Sequence, residues 1–477
     1  MRSLIPLFPI ALCVACSSGT EGVDASANDA GQTDGGAGHD AAEILDGNSP
    51  TPDTGTTDGG ADAGPAGDGA VIDPGIPILE RTPRIAKTCS VSRGLIDHAP
   101  RYFTSRSALI GTANGFFVAR GEHGGTPFGV DPVSFVLSSL ALDGSFGAST
   151  DLGGDEASSN PVAAPDGAGF ALVWVQSDHL RFQRFDAAGA ANGAAHDITS
   201  PAVSASISPR LIARSGGGFL LAYTTQTPPR VELLLLDGDG APVGNPIPLL
   251  SSFDYYDHAL SLLQTDAGFA VFYRTKSSGT ALTSDVYVAR LDASAHPQGT
   301  PAKLSTTSGP EQSAGGGQMF GAPRISALRI GDQYLAAWAE SETRTVGGNP
   351  IGWSRILVQR LNLQLEPSGA PVRLGREVDN VNAEEPALYA KDGQVAVFWT
   401  EGQEIYICGG CFPDNSLHLV WIDPTDLVPS SAPLVVPPLA GGITDEQAAF
   451  LGDSILVTAD LRFHVHSEPG SLALRCR

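Results

Sequence analysis

Residues 81–477 return repeatedly to one short segment: an almost wholly apolar run that follows a Gly- or Asp-rich turn and often ends in an aromatic residue. It reads Gly115-Phe116-Phe117-Val118, Gly169-Phe170-Ala171-Leu172-Val173-Trp174, Gly218-Phe219-Leu220-Leu221-Ala222-Tyr223 and Gly268-Phe269-Ala270-Val271-Phe272-Tyr273. It continues as Gln333-Tyr334-Leu335-Ala336-Ala337-Trp338, Gln394-Val395-Ala396-Val397-Phe398-Trp399 and a weaker Ser454-Ile455-Leu456-Val457. From Phe116 to Ile455 the seven copies are spaced by 54, 49, 50, 65, 61 and 60 residues. Recurrence of this kind marks a unit that buries its apolar surface only against its neighbours.

Each copy keeps the same companions. A short segment, often opened by proline, precedes it: Pro161-Val162-Ala163-Ala164, Pro209-Arg210-Leu211-Ile212, Pro323-Arg324-Ile325-Ser326 and Pro386-Ala387-Leu388-Tyr389. A more alternating run follows, as in Leu180-Arg181-Phe182-Gln183-Arg184-Phe185-Asp186, and a fourth closes the unit, as in Pro246-Ile247-Pro248-Leu249-Leu250. Four short runs separated by Gly, Asp, Asn, Pro and Ser turns read as strands and hairpins. The second run predicts a strand buried on both faces, and the third predicts one wetter face.

A four-stranded sheet sandwiched between its neighbours meets both demands, and sheets stacked radially in this way make a β-propeller. The expected fold class is therefore all-β: a seven-bladed β-propeller of four-stranded blades over 81–477, at about 57 residues per blade. The surplus over shorter propeller repeats is expected in loops at 274–285, 305–322 and 339–353. Tandem β-sandwiches are the alternative, but sandwich strands do not repeat a four-run unit seven times. A ring must also join its last sheet to its first or expose unpaired edges. The two ends of this domain are accordingly expected to meet in one sheet, pinned by a Cys89–Cys476 disulfide.

Ahead of the repeats, residues 1–15 place one charge, Arg2, before a short apolar run that ends in small residues, the layout of a secretory signal. A bilayer span needs about 20 apolar residues, more than this run has. Leu12-Cys13-Val14-Ala15-Cys16 resembles the lipobox of bacterial lipoproteins, with Cys13 standing where that motif ordinarily has Leu. The resemblance implies cleavage before Cys16, a lipid on its thiol and, with Ser17 next, outer-membrane anchoring facing the cell surface or the periplasm. Residues 17–80 carry thirteen Asp or Glu, from Glu21 to Glu80, and no Lys or Arg. Such a segment buries too little apolar surface to offset its ordering entropy, so 16–80 reads as a lipidated cysteine followed by a disordered acidic linker. As a coil its 64 residues beyond Cys16 span about 40–48 Å, enough to hold a domain clear of a membrane.

Of the formal net charge of −24, about half belongs to this linker. The acidic balance excludes nucleic acid as a partner, because neutralising phosphates takes clustered Lys and Arg. With 57 Gly and 35 Pro, a mostly helical fold is excluded too, since both are poor in helix interiors.

Candidate chemistry is sparse. Cys408-Gly409-Gly410-Cys411 is a CxxC that could be a redox pair or half of a zinc site, but it lacks a βαβ context and a second Cys/His pair. A small disulfide across a hairpin loop is the preferred reading. Asp237-Gly238-Asp239-Gly240 resembles the start of a calcium loop without the later acidic ligands, and reads as a turn. His464 and His466 share one strand face, with no third ligand to be named by spacing. Sialidases and related glycosidases use propellers with a Ser-x-Asp-x-Gly turn; here Asp166-Gly167-Ala168-Gly169-Phe170 lacks the serine and the spacing. Asp254, Asp257, Glu384 and Glu385 remain possible acid/base carboxylates. No nucleophile elbow, zinc-binding helix or phosphate loop is present, and no cofactor or metal is expected. A binding or scaffold module for a protein or glycan is thus favoured over an enzyme. The alternative is an envelope or extracellular glycoside hydrolase.

Overall fold

The computed structural model describes most of residues 89–477; residues 1–88 and several connections, the longest at 125–132, 251–259 and 311–323, lie outside the described residues. The signal, Cys16 and the acidic linker therefore fall outside them. Every regular element among the described residues is a β-strand. The segments opened by proline become first strands, such as Ser159–Asp166 and Val381–Lys391, and the apolar runs become second strands, such as Gly169–Gln176 and Phe219–Gln226. Consecutive strands pair antiparallel, so each unit is a four-stranded meander.

First strands touch one another in a closed circuit. Ala108–Thr112 meets Ser159–Asp166, then Arg210–Ala213, Leu260–Gln264, Ile325–Ile330, Val381–Lys391 and Gly442–Leu451 follow in turn, and the last returns to Ala108–Thr112. The architecture is a β-propeller of four-stranded blades. Period-2 geometry explains the unbroken apolar second runs, because successive side chains point to opposite faces and both faces are covered. Phe219, Leu221 and Tyr223 pack against Val173, Val175 and Phe182 of the preceding sheet. Leu220 and Ala222 pack against Val271 and Tyr273 of the following one. Burying a Leu, Val or Phe side chain stabilises by about 1.5–3 kcal/mol, and the aromatics Trp174, Phe219, Trp338 and Phe398 are all at most 1% exposed.

Three expectations change. Counted by hydrogen-bonded sheets, the ring has six blades, not seven. One parallel bridge, Ser354 opposite Asn382, joins the third strand of one four-run unit, Asn349–Leu361, to the first strand of the next, and merges them into a nine-stranded sheet. The segment 339–353 is not a loop: Gln333–Val346 and Asn349–Leu361 stay paired to the end, Val346 opposite Asn349. Finally, the third strand Ser416–Ile422 has no wetter face and is buried from Leu417 onward, with Leu417, Leu419 and Trp421 facing one neighbour and Val420 and Ile422 the other.

The ends of the described chain meet. Cys89–Leu95 pairs antiparallel with Ser467–Cys476 as the outermost strand of the sheet formed with Gly442–Leu451 and Ser454–Arg462. Cys89 lies opposite Cys476. The side chains of both cysteines are outside the described ones.

Turn glycines enforce the close fit between second and third strands. Gly218 has a φ of 75°, and a Cβ there would strike the Leu236 carbonyl oxygen, whereas a Cβ at Gly238 meets nothing within 4 Å. Gly218→Ala is expected to destabilise by at least about 2 kcal/mol, combining the left-handed penalty with a backbone clash. Gly238→Ala, in denaturant unfolding of both variants, should stay within about 0.5 kcal/mol of the parent.

Candidate functional site

In a meander, the connections between first and second strands and between third and fourth strands share one end of the sheet. Connections between second and third strands, and onward to the next unit, share the other end. The two ends of this propeller differ in chemistry. At the first end several connections from third to fourth strands open with a side-chain-capped turn. Asp186 Oδ1 accepts the amides of Ala188 (2.8 Å) and Ala190 (2.9 Å). Asp237 Oδ1 does the same for Asp239 (2.9 Å) and Ala241 (2.8 Å), and Asp292 and Asn362 repeat the pattern. Asp237-Gly238-Asp239-Gly240 is thus a side-chain-capped turn. Arg184 ties such turns together, donating to Asp166 Oδ2 at 2.6 Å and to Asp239 Oδ1 at 3.2 Å in the next unit. Among the described residues no group of three or more His, Cys, Asp or Glu is placed to hold a metal ion.

The opposite end carries the long connections and a belt of buried polar side chains. Trp338 donates from its indole N–H to Glu340 Oε1 at 2.9 Å, and Glu340 in turn accepts from the Thr306 amide at 3.2 Å. Trp399 donates to Glu401 Oε2 at 3.1 Å, and the other carboxylate oxygen of Glu401 holds the Arg376 guanidinium. The two clusters are equivalent. Thr306 and Arg376 each lie just beyond the fourth strand of the preceding unit, Ala302–Lys303 and Val372–Leu374. A carboxylate two residues past a second-strand tryptophan therefore pins the chain arriving from its neighbour. Where Gln176 replaces the carboxylate, Trp174 Nε1 has no partner among the described residues.

Other buried charges are similarly committed. Glu232 accepts from the Tyr223 hydroxyl at 2.7 Å and pairs with Arg230 at 2.5 Å; burial, and then Glu232, pushes that hydroxyl far above the ordinary tyrosine range. Asp285 pairs with Lys303 at 2.8 Å and accepts from Ser305 Oγ at 3.1 Å. Arg274 donates to the Ala339 carbonyl of the next unit at 2.5 Å. The Glu232 and Asp285 contacts lie within one unit, whereas Arg274, Glu340 and Glu401 bind groups of a neighbouring unit.

The sequence-predicted site residues fall out as follows. Glu384 (half-buried) and Glu385 (buried) sit where Val381–Lys391 bulges at this end, and Glu385 takes a left-handed φ of 53°. Similar register shifts occur in Ser159–Asp166 and Gly442–Leu451, so bulges recur on inner strands around the ring. Asp254, Asp257, His464, His466 and Cys408 lie outside the described residues. Cys411 stands opposite Tyr406 in the ribbon formed by Gln394–Ile407 and Gly410–Pro413. Sequence reasoning missed the Trp-x-Glu clusters; their signal was the repeated spacing in Trp338-Ala339-Glu340 and Trp399-Thr400-Glu401.

Two ribbons distinguish this end. The ladder between first and second strands stops at Ile325 opposite Trp338, but the second strand runs eight residues further, about 26 Å at 3.3 Å per residue. In the next unit Glu404 to Ile407 run on past the third strand, paired only with Gly410–Pro413. Among the described residues no helix is long and apolar enough to cross a membrane.

No protein-family model matches the chain, and no curated protein matches it. Solved structures with a similar course of chain include the polysaccharide lyase Uly1 (7% identity, TM-score 0.48, 80% of this chain and 92% of that one). The Dos1 propeller shows 12% identity and a TM-score of 0.41, over 80% of each chain. An α-L-arabinofuranosidase from Lactobacillus brevis shows 11% identity and a TM-score of 0.33, over 56% of this chain and 89% of that one. At these values the similarities carry no argument about activity.

Arg376→Ala would leave a carboxylate 1% exposed without its cation and is expected to cost about 3 kcal/mol. Adding Glu401→Gln, which keeps an acceptor for Trp399, should recover part of that loss in a denaturant double-mutant cycle. His418 stacks on Trp399 (5.1 Å between centroids) and meets Ser416 Oγ at 2.8 Å. Burial holds its imidazole below the ordinary histidine range; Arg376 adds to this and Glu401 opposes it. Below an unfolded pKa of about 6.5 the unfolded chain binds the extra proton first. Stability from this group is complete above that pH and falls as the pH drops towards the folded value. His418→Gln is expected to flatten the pH–stability slope below about pH 6.5, as measured by unfolding midpoints.

Proposed function

We propose that this chain is an exported lipoprotein whose propeller is a binding or scaffold module, holding a glycan or a protein at the end that bears the ribbons and long connections. The one-sided build of the ring carries the reading. Capped turns open the connections at one end, while the other gathers the inter-unit connections and both ribbons, and recognition is disproportionately built on loops held by a rigid scaffold. Commitment of Glu232, Glu340 and Glu401 to structural bonds favours binding over hydrolysis. The hydrolase alternative rests on Glu384 and Glu385 at the inner-strand bulge.

The finer points of the reading are these. Seven repeat units make up the ring, two of them merged through Ser354 and Asn382; the closed circuit of first strands supports this. Cys16 carries the lipid, the acidic linker 16–80 is the spacer, and the outer membrane is the site of anchoring. A single acyl chain binds a membrane only marginally and two or more hold firmly, so a lipidated Cys16 fixes the domain.

Cys16→Ser in the full chain is expected to move the protein from the membrane to the soluble fraction; unchanged partitioning removes the anchor from the account. That soluble variant should bind at least one glycan on an array or one identified envelope protein. Trimming residues 343–351 should weaken the binding at least about tenfold, or 1.4 kcal/mol, with the unfolding midpoint retained. Release of reducing ends from polysaccharide, abolished by Glu384→Gln or Glu385→Gln, would instead establish the hydrolase.

A further inference from the structure

The register of the closing ladder points to a covalent bond. Cys89–Leu95 and Ser467–Cys476 pair through seven consecutive positions without a shift, from Cys89 opposite Cys476 to Leu95 opposite Gly470. Residues directly opposite in an antiparallel pair have Cα atoms about 4.5 or 5.5 Å apart, depending on the hydrogen-bonding position. Both values fall within the roughly 4.4–6.8 Å usual for the Cα atoms of a disulfide. Cys411, by contrast, stands opposite a tyrosine in another sheet.

We infer that Cys89 and Cys476 form a disulfide that closes the propeller covalently. Cys89–Leu95 is an outermost strand with one hydrogen-bonded neighbour, and it is the strand through which the N-terminal 88 residues join the ring. A bond at its first residue fastens the arriving chain directly to the last strand. Load from the N-terminal side then reaches the ring through sulfur before it reaches the ladder. The bond forms by exchange. A thiolate from one cysteine attacks the disulfide of an oxidant, protein or low-molecular-weight, and the second cysteine resolves the mixed disulfide. The protein loses two protons and two electrons, and the oxidant leaves as two thiols. The inference holds whether or not Cys16 is lipidated.

The full chain, exported to an oxidising compartment and alkylated before any reduction, should yield one digest product joining the Cys89 and Cys476 peptides, lost on reduction. Alkylated Cys89 or Cys476 in the unreduced sample, or linkage of either to Cys408 or Cys411, would overturn the assignment. In a Cys408→Ser/Cys411→Ser background, reductant should lower the denaturant midpoint to that of the variant also carrying Cys89→Ser, which reductant should leave unmoved. Equal midpoints with and without reductant would contradict the closure bond even where the variants fold poorly, because the comparison is made on the Cys89-containing chain itself.

Discussion

Burial of both faces of every second strand is the constraint on which the rest of this fold depends. A lone four-stranded sheet would leave Phe219 and Leu221 on one side, or Leu220 and Ala222 on the other, in water. Each sheet therefore needs two neighbours, and a ring gives every sheet two without a special capping unit at either end. Closure is thus part of the core energetics and not an ornament at the termini. Pairing Cys89–Leu95 with Ser467–Cys476 answers the same need, because it covers an edge of the last sheet with chain from the other end of the domain.

Radial packing brings polar backbone and side chains into the seams, and the Trp-x-Glu clusters show how they are satisfied. The carboxylates of Glu340 and Glu401 each take an indole N–H from their own strand and a donor from the connection entering from the previous unit. This arrangement spends charge on alignment. It leaves the variable chemistry to the ribbons and connections beyond, where length can change without disturbing the ring.

Much of this was legible in the sequence because burial on two faces writes itself as an unbroken apolar run between turn residues. The closing of the chain ends was legible from the need to cover an edge, together with the positions of Cys89 and Cys476. The long ribbon at 339–353 was not. Glu340, Ser341, Glu342, Thr343 and Arg344 show no apolar period, and a two-stranded ribbon outside the ring needs none, so it reads as loop. The Ser354–Asn382 bridge was invisible for a different reason: a single backbone pair between units leaves no trace in side-chain pattern. The buried face of Ser416–Ile422 was underestimated because its apolar residues sit beside Ser416 and His418, whose polarity is absorbed by a hydrogen bond and a stacked ring. Of the candidate site, Glu384 and Glu385 were visible as a carboxylate pair, but the bulge that places them was not.

Native-state hydrogen exchange on the full chain tests the central claim most directly. If the ring is one cooperative structure closed by its N-terminal strand, amides of Cys89–Leu95 and Ser467–Cys476 will exchange together, with protection approaching that of second strands such as Gly169–Gln176. Rapid exchange of Cys89–Leu95 alone, with the remaining strands fully protected, would contradict closure by that strand.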